Sequence, residues 1–305
     1  MVEHRNLVNF LGWYTRLHGF TSGDRCAAFA SFSFDASVAQ VWAPLVSGAC
    51  LHIIPESLRL APEELNRYFE QQGICHAHFP TQFAEQFMAL TNNCSLKRMV
   101  VGGDALRSWK SSGFRLVNEY GPSETTVAST AQVVDRPFER VPIGTPADNT
   151  RVYILDNNLH LQPIGAPGEI CIAGAGVARG YRNNPEQTAE RFVADPFVAG
   201  ARMYRTGDLG RWLAYGTLEF LGRVDFQVKI RGFRIEPAEI EQALLTLPGI
   251  SRALTLARTD ETGNRYLCAY YEAAAELPLP ELKQQLAGLL PEYMIPQAFV
   301  RLESF

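Results

Sequence analysis

Apolar residues in the first part of the chain recur at two spacings that alternate along the sequence. Leu7, Leu11, Tyr14 and Leu17 recur at helical spacing, whereas residues 74–79 form a short apolar run typical of a buried strand. The same two patterns predict helices over residues 7–17, from Pro62 and over 82–90, and strands over 51–54, 74–79, 98–101 and 115–117. This alternation predicts an α/β fold in which helices cover both faces of a mostly parallel sheet.

Glycine-containing loops follow two of these predicted strands. Gly102-Gly103-Asp104 follows strand 98–101, and residues 118–124 follow strand 115–117. In open α/β sheets, ligands bind at the carboxyl ends of the strands, so we expect a binding site at this edge. Taken alone, the glycine pair also fits a simple turn that requires positive φ.

The pattern becomes richer in strands after about Asp135. Residues 151–155 and 169–172 are predicted strands separated by Pro/Gly turns. Beyond Gly222 the sequence predicts a strand over 227–235, a helix over 237–247 with Glu239 and Glu241 outward, a hairpin over 254–271 that turns at 262–264, and a helix over 280–290. We therefore expect two domains: part of a large domain over 1–224, and part of a small α+β domain over 225–305.

Composition excludes several classes of protein. Of the 305 residues, 47% are hydrophobic and 20% charged, and the net charge is −4; this mixture is typical of a folded globular chain without a nucleic-acid-binding surface. No apolar run approaches the roughly 20 residues that span a bilayer. The six cysteines show no CxxC pair, which favours reduced thiols. These observations predict a cytoplasmic protein without a nucleic-acid or membrane partner.

Six short motifs occur in a characteristic order from end to end of the chain. They are FDAS (34–37), NEYGPSET (118–125), GEICIAGAGVARGY (168–181), YRTGDL (204–209), GRVDFQVKIRGFRIEPAEIE (222–241) and LPEYMIP (290–296). In this order they resemble the adenylation domains of nonribosomal peptide synthetases, within the adenylate-forming ligases. The resemblance implies ATP-dependent activation of an amino acid as aminoacyl-AMP, followed by transfer to the phosphopantetheine thiol of a peptidyl carrier domain beside a condensation domain.

The resemblance also implies which residues bind nucleotide. The carboxylate of the amino acid must approach the α-phosphate of ATP, and because both are anions the site needs Mg²⁺ and positioned hydrogen-bond donors. Glu124 matches the glutamate that is associated with the metal in this family. Tyr120 would lie against adenine and Asp208 would accept the ribose hydroxyls. The implied ATP-binding set is Gly102, Gly103, Asp104, Asn118, Tyr120, Gly121, Ser123, Asp208 and Arg223, and the implied catalytic set is Glu124, Asp208, Arg223 and Lys229. The alternatives are a packed aromatic for Tyr120, a turn residue for Asp208 and a surface charge for Arg223.

Asp35 in FDAS matches the family's partner of the substrate α-ammonium group, which favours an α-amino acid over an aryl or fatty acid. The implied substrate pocket consists of Asp35, Ala36, Ala39, His78, Val100, Gly102, Glu119, Val127 and Ala128. The small Ala36, Ala39 and Gly102 predict a deep pocket, and His78 and Glu119 are candidates to bind a polar end group. We therefore expect a sizeable side chain with a polar or aromatic end. The alternative for His78 is a core histidine.

The resemblance assigns the hinge between domains to Asp225, where a few residues absorb the rotation between the two half-reactions. The following stretch, which includes Gly232, Phe233 and Arg234, would face the phosphopantetheine arm. Its basic residues equally fit a solvated strand face.

Departures from the family pattern lead to further expectations. The phosphate loop ending in Pro-Lys-Gly would stand immediately before Met1, and the Asn-Gly-Lys segment would follow Phe305, so we expect a piece truncated at both ends, impaired and poorly folded in isolation. Two alternatives remain: an aryl- or acyl-CoA-type ligase, and a non-catalytic module that binds only nucleotide or a carrier.

Overall fold

A computed structural model describes residues 1–110, 113–224, 227–230, 233–260, 265–273, 275 and 277–305. The described residues form two compact units, Met1–Val224 and Asp225–Phe305. None of the helices described there combines the length and the hydrophobicity that a membrane span requires.

The first unit is built on a large sheet of seven described strands. Its elements are α1 (His4–His18), β1 (Arg25–Ala28), α2 (Ala36–Val46), β2 (Cys50–Ile53), α3 (Pro62–Gln72), β3 (His76–Pro80), α4 (Thr81–Leu90), β4 (Arg98–Gly102), β5 (Arg115–Tyr120), β6 (Thr130–Val133) and β7 (Thr145–Pro146). The strand order is β2-β1-β3-β4-β5-β6-β7, parallel from β2 to β5 and antiparallel at β6 and β7. The predicted α/β class with a mostly parallel sheet is confirmed.

The two faces of this sheet differ in polarity. Ala77 and Phe79 on β3 alternate with His76 and His78, because successive side chains of a strand point to opposite faces. The first face forms a large apolar core with the helices, whose members include Leu65, Phe69, Ala77, Phe79, Phe87, Met99, Val101 and Leu116. The second face carries buried polar groups, and helix α1 lies against it through Tyr14 and His18.

Local sequence explains where α1 begins and ends. The Asn6 side chain accepts a 2.8 Å hydrogen bond from the Glu3 backbone N–H, which caps the first turn. Gly19 ends the helix in the left-handed conformation at φ 59°, a position that favours glycine. The helix predicted over 7–17 is therefore confirmed, with one further turn at its start.

A second, antiparallel sheet completes the first unit. Its elements are β8 (Thr150–Leu155), β9 (Gly168–Gly174), α5 (Pro185–Arg191), β10 (Phe192–Ala194), β11 (Arg202–Trp212) and β12 (Leu218–Arg223). The order is β10-β11-β9-β8, and β12 pairs with β11. The pairing of β11 with β9 is irregular between Arg205 and Leu209, so the YRTGDL motif lies within a long strand that departs from regular pairing.

The second unit contains β13 (Val228–Ile230), β14 (Phe233–Ile235), α6 (Pro237–Leu245), β15 (Ile250–Thr259), β16 (Arg265–Ala273), α7 (Leu279–Ala287) and β17 (Ala298–Leu302). The single strand predicted over 227–235 is wrong, since β13 and β14 are antiparallel and Val228 pairs with Ile235. The alternation of apolar residues looks the same in one long strand as in two strands that pair with each other as a hairpin. The pairing of β13 with β14 brings Ile230 and Ile235 into one core.

Two further predictions concern this unit. The arms β15 and β16 pair antiparallel as expected, whereas the predicted turn at 262–264 lies outside the described residues. Glu241 was expected to point outward with Glu239, but its Oε1 accepts a 2.8 Å hydrogen bond from the Thr255 backbone N–H. The Glu241 carboxylate thus provides a hydrogen-bond acceptor for a backbone N–H of β15. The spacing of residues along the helix does not reveal such a contact with a later strand.

Candidate active site

Three residues predicted from separate motifs to bind nucleotide meet at one buried carboxylate. The Tyr120 hydroxyl donates a 2.6 Å hydrogen bond to Oδ2 of Asp208. The Arg223 guanidinium donates to Oδ1 of the same side chain, which is 4% exposed. Tyr120 ends β5, Asp208 lies on β11 and Arg223 ends β12, so this cluster joins the two sheets of the first unit.

Strand register and two unpredicted side chains hold Asp208 in place. Asp208 and Arg223 are cross-strand partners, which brings their side chains together. The Thr206 hydroxyl donates to the Ile170 carbonyl at 2.7 Å and accepts from the Asp208 backbone N–H at 2.9 Å. Glu169 accepts from the Gly207 backbone N–H at 3.0 Å. The turn interpretation of Asp208 and the surface interpretation of Arg223 do not apply, since Asp208 lies within a strand and Arg223 is nine-tenths buried.

Burial determines the protonation state of Tyr120. Removal from water raises the pKa of this phenol well above 10, and the charge and hydrogen bond of Asp208 raise it further. The phenol therefore stays protonated and acts as a donor. The Tyr120 ring also lies 6.1 Å, centroid to centroid, from Phe220.

A second cluster brings together the candidate amine-binding and metal-associated residues. The Ser123 hydroxyl donates to Oδ2 of Asp35, although the two residues lie 88 positions apart. Asp35 immediately precedes α2, and Ser123 begins the short 3₁₀ turn Ser123–Thr125 that also carries Glu124. The turn thus lies beside the start of α2.

Tyr181 contacts this second cluster and was not singled out by sequence. Its hydroxyl donates a 2.7 Å hydrogen bond to Oε1 of Glu124 and lies 3.2 Å from the hydroxyl of Tyr204. Burial, followed by the hydrogen bond with Tyr204 and the charge of Glu124, raises the pKa of Tyr181. The only sequence signal was its position as the last residue of the 168–181 motif.

Glu124 is the candidate ligand for a magnesium ion. In the described part of the chain, no group of three or more His, Cys, Asp or Glu side chains is arranged to hold a metal. Glu124 is half-buried and is held by Tyr181 through Oε1. A positioned, partly accessible carboxylate fits Mg²⁺, which typically takes one or two carboxylates and completes its shell with phosphates and water.

The glycine of NEYGPSET is required by a close backbone approach. A Cβ at Gly121 would lie 2.6 Å from Cα of Ala128 and 2.7 Å from N of Ser129. The intervening residues Thr126 and Val127 have φ of 69° and 65°, so the chain reverses sharply here. Gly121 therefore sets the position of Val127 and Ala128, which are predicted pocket residues.

The remaining candidate nucleotide residues lie at the carboxyl ends of β4 and β5. The Thr81 hydroxyl is 3.0 Å from the carbonyl oxygens of both Gly102 and Asp104 and fixes this loop. Gly103 has φ of 93°, as a turn there requires. Asn118 is buried, and its amide donates to the Pro142 carbonyl at 2.8 Å.

One predicted pocket residue, Glu119, has an unpredicted hydrogen-bond partner in α1. Nε2 of His18 lies 2.8 Å from Oε1 of Glu119, and the two side chains are 0% and 3% exposed. Burial lowers the pKa of His78, against the opposing effect of Glu119. His18 was missed because a lone histidine four positions after Tyr14 is indistinguishable from an ordinary core position on the apolar face of α1.

The other pocket candidates are small residues within packed surroundings. Val100 is fully buried and Ala36 is half-buried. Ala39 and Ala128 share a core with α1, whose members include Phe10, Leu11, Trp13, Tyr14 and Ala43; Val127 packs against that core. A separate cavity of about 650 Å³ is lined by Trp109, Phe114 and Asp135 among others, and by none of the predicted substrate residues.

The predicted residues of the second unit are only partly described. Asp225 and Gly232, and the side chains of Lys229 and Arg234, lie outside the described residues. The Phe233 ring stacks on Tyr293 of the LPEYMIP motif with centroids 4.2 Å apart.

Comparison with known proteins gives one match to a family and many to individual proteins. The family described as "AMP-binding enzyme" matches residues 1–182. Bacitracin synthase 1 of Bacillus licheniformis is 46% identical over 304 residues, which are 100% of this chain and 6% of that protein. The chain therefore spans a small part of the curated relatives that it matches.

Two solved structures extend the similarity to three dimensions. NpsA-ThdA of Klebsiella oxytoca, an artificially fused adenylation-PCP di-domain, superposes with a TM-score of 0.86 at 28% identity, over 98% of this chain and 57% of that one. The adenylation domain AlmE of Vibrio cholerae, in complex with glycyl-adenosine-5'-phosphate, gives a TM-score of 0.88 at 25% identity, over 100% of this chain and 60% of that one.

Proposed function

The chain belongs to the AMP-binding enzymes, and from this premise we propose that the protein containing it activates an α-amino acid with ATP and passes it to a carrier thiol. A carboxylate oxygen of the amino acid attacks the α-phosphorus of ATP, and the bond to pyrophosphate breaks. The phosphopantetheine thiol of a carrier domain loses its proton, and the resulting thiolate attacks the acyl carbon; the C–S bond forms as the bond to AMP breaks and AMP leaves. The similarity to bacitracin synthase 1 and to an adenylation-PCP di-domain supports this sequence of steps.

The observation that carries the proposal is the contact between Asp35 and Ser123. It sets a carboxylate beside the turn that holds Glu124, so a group that binds ammonium lies next to a group suited to Mg²⁺ and phosphate. An α-amino acid carries its ammonium and carboxylate groups on the same carbon. Its ammonium group could therefore bind Asp35 while its carboxylate lies close to the Mg²⁺ and phosphate at Glu124. An aryl or fatty acid offers no ammonium group to the Asp35 carboxylate.

For the nucleotide, we assign the ribose to the Asp208 cluster. Tyr120 donates to one Asp208 oxygen and Arg223 to the other, and a carboxylate oxygen that accepts one hydrogen bond has a second lone pair for a ribose hydroxyl. Tyr120 and the Gly102–Asp104 loop would contact adenine, Asn118 and Gly121 would shape the loop beside it, and Ser123 would contact phosphate. Glu124 would hold Mg²⁺, which when bound neutralises phosphate charge.

For the second step, we assign Asp225 as the hinge and Gly232, Phe233 and Arg234 as the surface that meets the pantetheine arm. Lys229 is the catalytic candidate of this unit. The partners would be a peptidyl carrier domain and a condensation domain, in the cytoplasm.

Incubation of the full-length protein with ATP, Mg²⁺ and single amino acids tests the proposal, with mass spectrometry of the products. One amino acid should yield its aminoacyl-AMP and then a thioester on the phosphopantetheine of the carrier. Acyl-AMP formation from an aryl or fatty acid instead would support the ligase alternative. Nucleotide binding without any adenylate would support the non-catalytic module.

A further inference from the structure

The cavity of about 650 Å³ in the first unit lies at the edge of the large sheet opposite to the candidate active site. Arg115 and Leu116, which begin β5, and Val133, which ends β6, line this cavity. Tyr120, at the other end of β5, belongs to the Asp208 cluster and lies five positions further along the strand, or about 17 Å at 3.3 Å per residue. The cavity is therefore separate from the candidate nucleotide and amino-acid sites.

The inner part of the cavity is apolar and rich in aromatic rings. Leu116 and Val134 are buried members of the large core. Trp109, Phe114 and Phe138 pack against the same core but remain half-buried, and all three line the cavity. Small-molecule sites in proteins are typically cavities of roughly 300–1,000 Å³ with a mostly apolar and aromatic lining and a few polar groups. The cavity has the size and the lining of such a site.

The polar groups of the lining are all charged, and cations outnumber anions. Among the described residues that line the cavity, Lys110, Arg115 and Arg136 are cations and Asp135 is the one carboxylate. Arg115, Asp135 and Arg136 are exposed, so they lie where the cavity opens to solvent. This excess of positive charge beside aromatic rings favours a ligand that carries an anionic group.

The two arginines are positioned by contacts that leave donors for a ligand. The guanidinium carbon of Arg136 lies 5.2 Å from the ring centroid of Phe138 and 5.8 Å from that of Tyr215, at the distance of cation–π contacts. Arg115 donates a 2.8 Å hydrogen bond to the carbonyl oxygen of Leu17. A guanidinium has five N–H donors, and neither arginine forms an ion pair with another described residue. Both can therefore donate to an anion at the mouth of the cavity.

We propose that this cavity binds a small aromatic organic anion. The ring of the ligand lies among the three aromatic side chains, where burial of apolar surface and offset or edge-to-face ring contacts stabilise it. The anionic group, a carboxylate or a phosphate, meets Arg115 and Arg136. The inference goes beyond the proposed function and does not depend on it, since binding here requires neither ATP nor the formation of an adenylate.

Calorimetric titration of the full-length protein with 2-naphthylacetate, and with its uncharged isostere 2-naphthylacetamide, tests the proposal. The acid should bind about three- to tenfold more tightly than the amide, because each exposed ion pair contributes only modestly. The difference should shrink when the salt concentration rises from about 0.05 M to about 0.5 M, since salt screens exposed charges. Absence of binding at millimolar ligand, or an amide that binds as tightly as the acid, would overturn the proposal.

Variants of the lining test which side chains take part. Trp109→Ala should weaken binding of 2-naphthylacetate at least about tenfold, through the loss of apolar and ring contacts. Arg136→Gln should weaken it about threefold, whereas Asp135→Asn should strengthen it about twofold by removing a repelling charge. Arg140→Gln is the matched control, since Arg140 is an exposed arginine outside the lining and its loss should leave the affinity unchanged. Equal affinities in Arg136→Gln, Asp135→Asn and Arg140→Gln would contradict the proposal, and these exposed positions decide the matter if Trp109→Ala does not fold.

The variant Asp35→Ala distinguishes this cavity from the amino-acid site. It should bind 2-naphthylacetate as tightly as the wild-type protein does. Binding that is lost in Asp35→Ala but retained in Trp109→Ala would place the ligand at the amino-acid site and overturn the proposal. A wild-type protein that forms no adenylate would remove the proposed function, but the calorimetric result for the cavity would stand.

Discussion

The hydroxyl of Tyr120 donates a 2.6 Å hydrogen bond to Asp208, across 88 residues of sequence and between the two sheets of the first unit. Arg223 holds the second oxygen of the same carboxylate. Three motifs that are far apart in the sequence thus share one buried charge. Because that charge is held from both sides, changes to any of the three should alter the same property, the binding of nucleotide.

Tyr120→Phe tests this relationship. The change removes one donor and leaves an oxygen of Asp208 unsatisfied, so the free energy of unfolding should fall by about 1–3 kcal/mol and KM for ATP should rise. Denaturant unfolding and steady-state kinetics measure the two effects. Tyr14→Phe is the matched control, because the buried Tyr14 hydroxyl has no hydrogen-bond partner among the described residues; that variant should be neutral or slightly stabilising. Equal losses in both variants would contradict the assignment.

Tyr181→Phe tests the positioning of Glu124. Loss of the 2.7 Å hydrogen bond should leave the carboxylate less constrained and weaken Mg²⁺-dependent ATP binding by roughly tenfold, the typical cost of removing a residue that orients a metal ligand. Calorimetric titration of ATP at several Mg²⁺ concentrations measures this directly. Tyr215→Phe, at an exposed turn tyrosine, should leave binding unchanged. An unaltered Mg²⁺ dependence in Tyr181→Phe would argue against a role for this contact.

Gly121→Ala tests the close approach beneath the pocket residues. The new Cβ would meet Cα of Ala128 at 2.6 Å, so the backbone must shift, at a cost of about 1–3 kcal/mol. Gly12→Ala is the comparison, since Gly12 lies within α1, where alanine is favoured by up to about 1 kcal/mol. The midpoint temperature of thermal unfolding should therefore fall in Gly121→Ala and rise in Gly12→Ala. A tolerated Gly121→Ala would show that the loop adapts without strain.

The buried histidines predict how stability depends on pH. Burial lowers the pKa of His76 well below 6.5, and nearby His18, Arg98 and His78 lower it further. The unfolded chain binds a proton below about pH 6.5 while the folded chain does not, so stability is lost as pH falls below that value, by up to about 1.4 kcal/mol per pH unit for each such histidine. Urea unfolding at pH 7.5, 6.5 and 5.5 measures the slope. His76→Leu should flatten it, and an equal slope in the variant would contradict the lowered pKa.

Sequence predicted the elements of the first unit well, because helical and strand spacing persist over whole elements such as α1 and β3. It failed at residues 227–235, where alternation does not distinguish one strand from two paired arms. It also failed at Glu241, whose partner Thr255 lies in a later strand. In both cases the missing information is a contact between distant residues.

The same limit applies to the candidate site. Motifs identified Asp35 and Ser123, Asp208 and its partners Tyr120 and Arg223, and Glu124 by resemblance, but Tyr181 and His18 were found only in three dimensions. Tyr181 lies 57 residues from Glu124, and His18 lies 101 residues from Glu119. Neither tyrosine nor histidine is unusual at its position in the sequence, so local pattern carries no signal for them.

Amino-acid-dependent exchange of pyrophosphate into ATP tests the central claim most directly, with each amino acid compared with its analogue that lacks the α-amino group. The account predicts exchange with one amino acid by the full-length protein, little exchange with the des-amino analogue, and loss of that preference in Asp35→Ala. Exchange that proceeds equally with the des-amino acid, or only with an aryl or fatty acid, would contradict the assignment of Asp35 and of the amino-acid substrate.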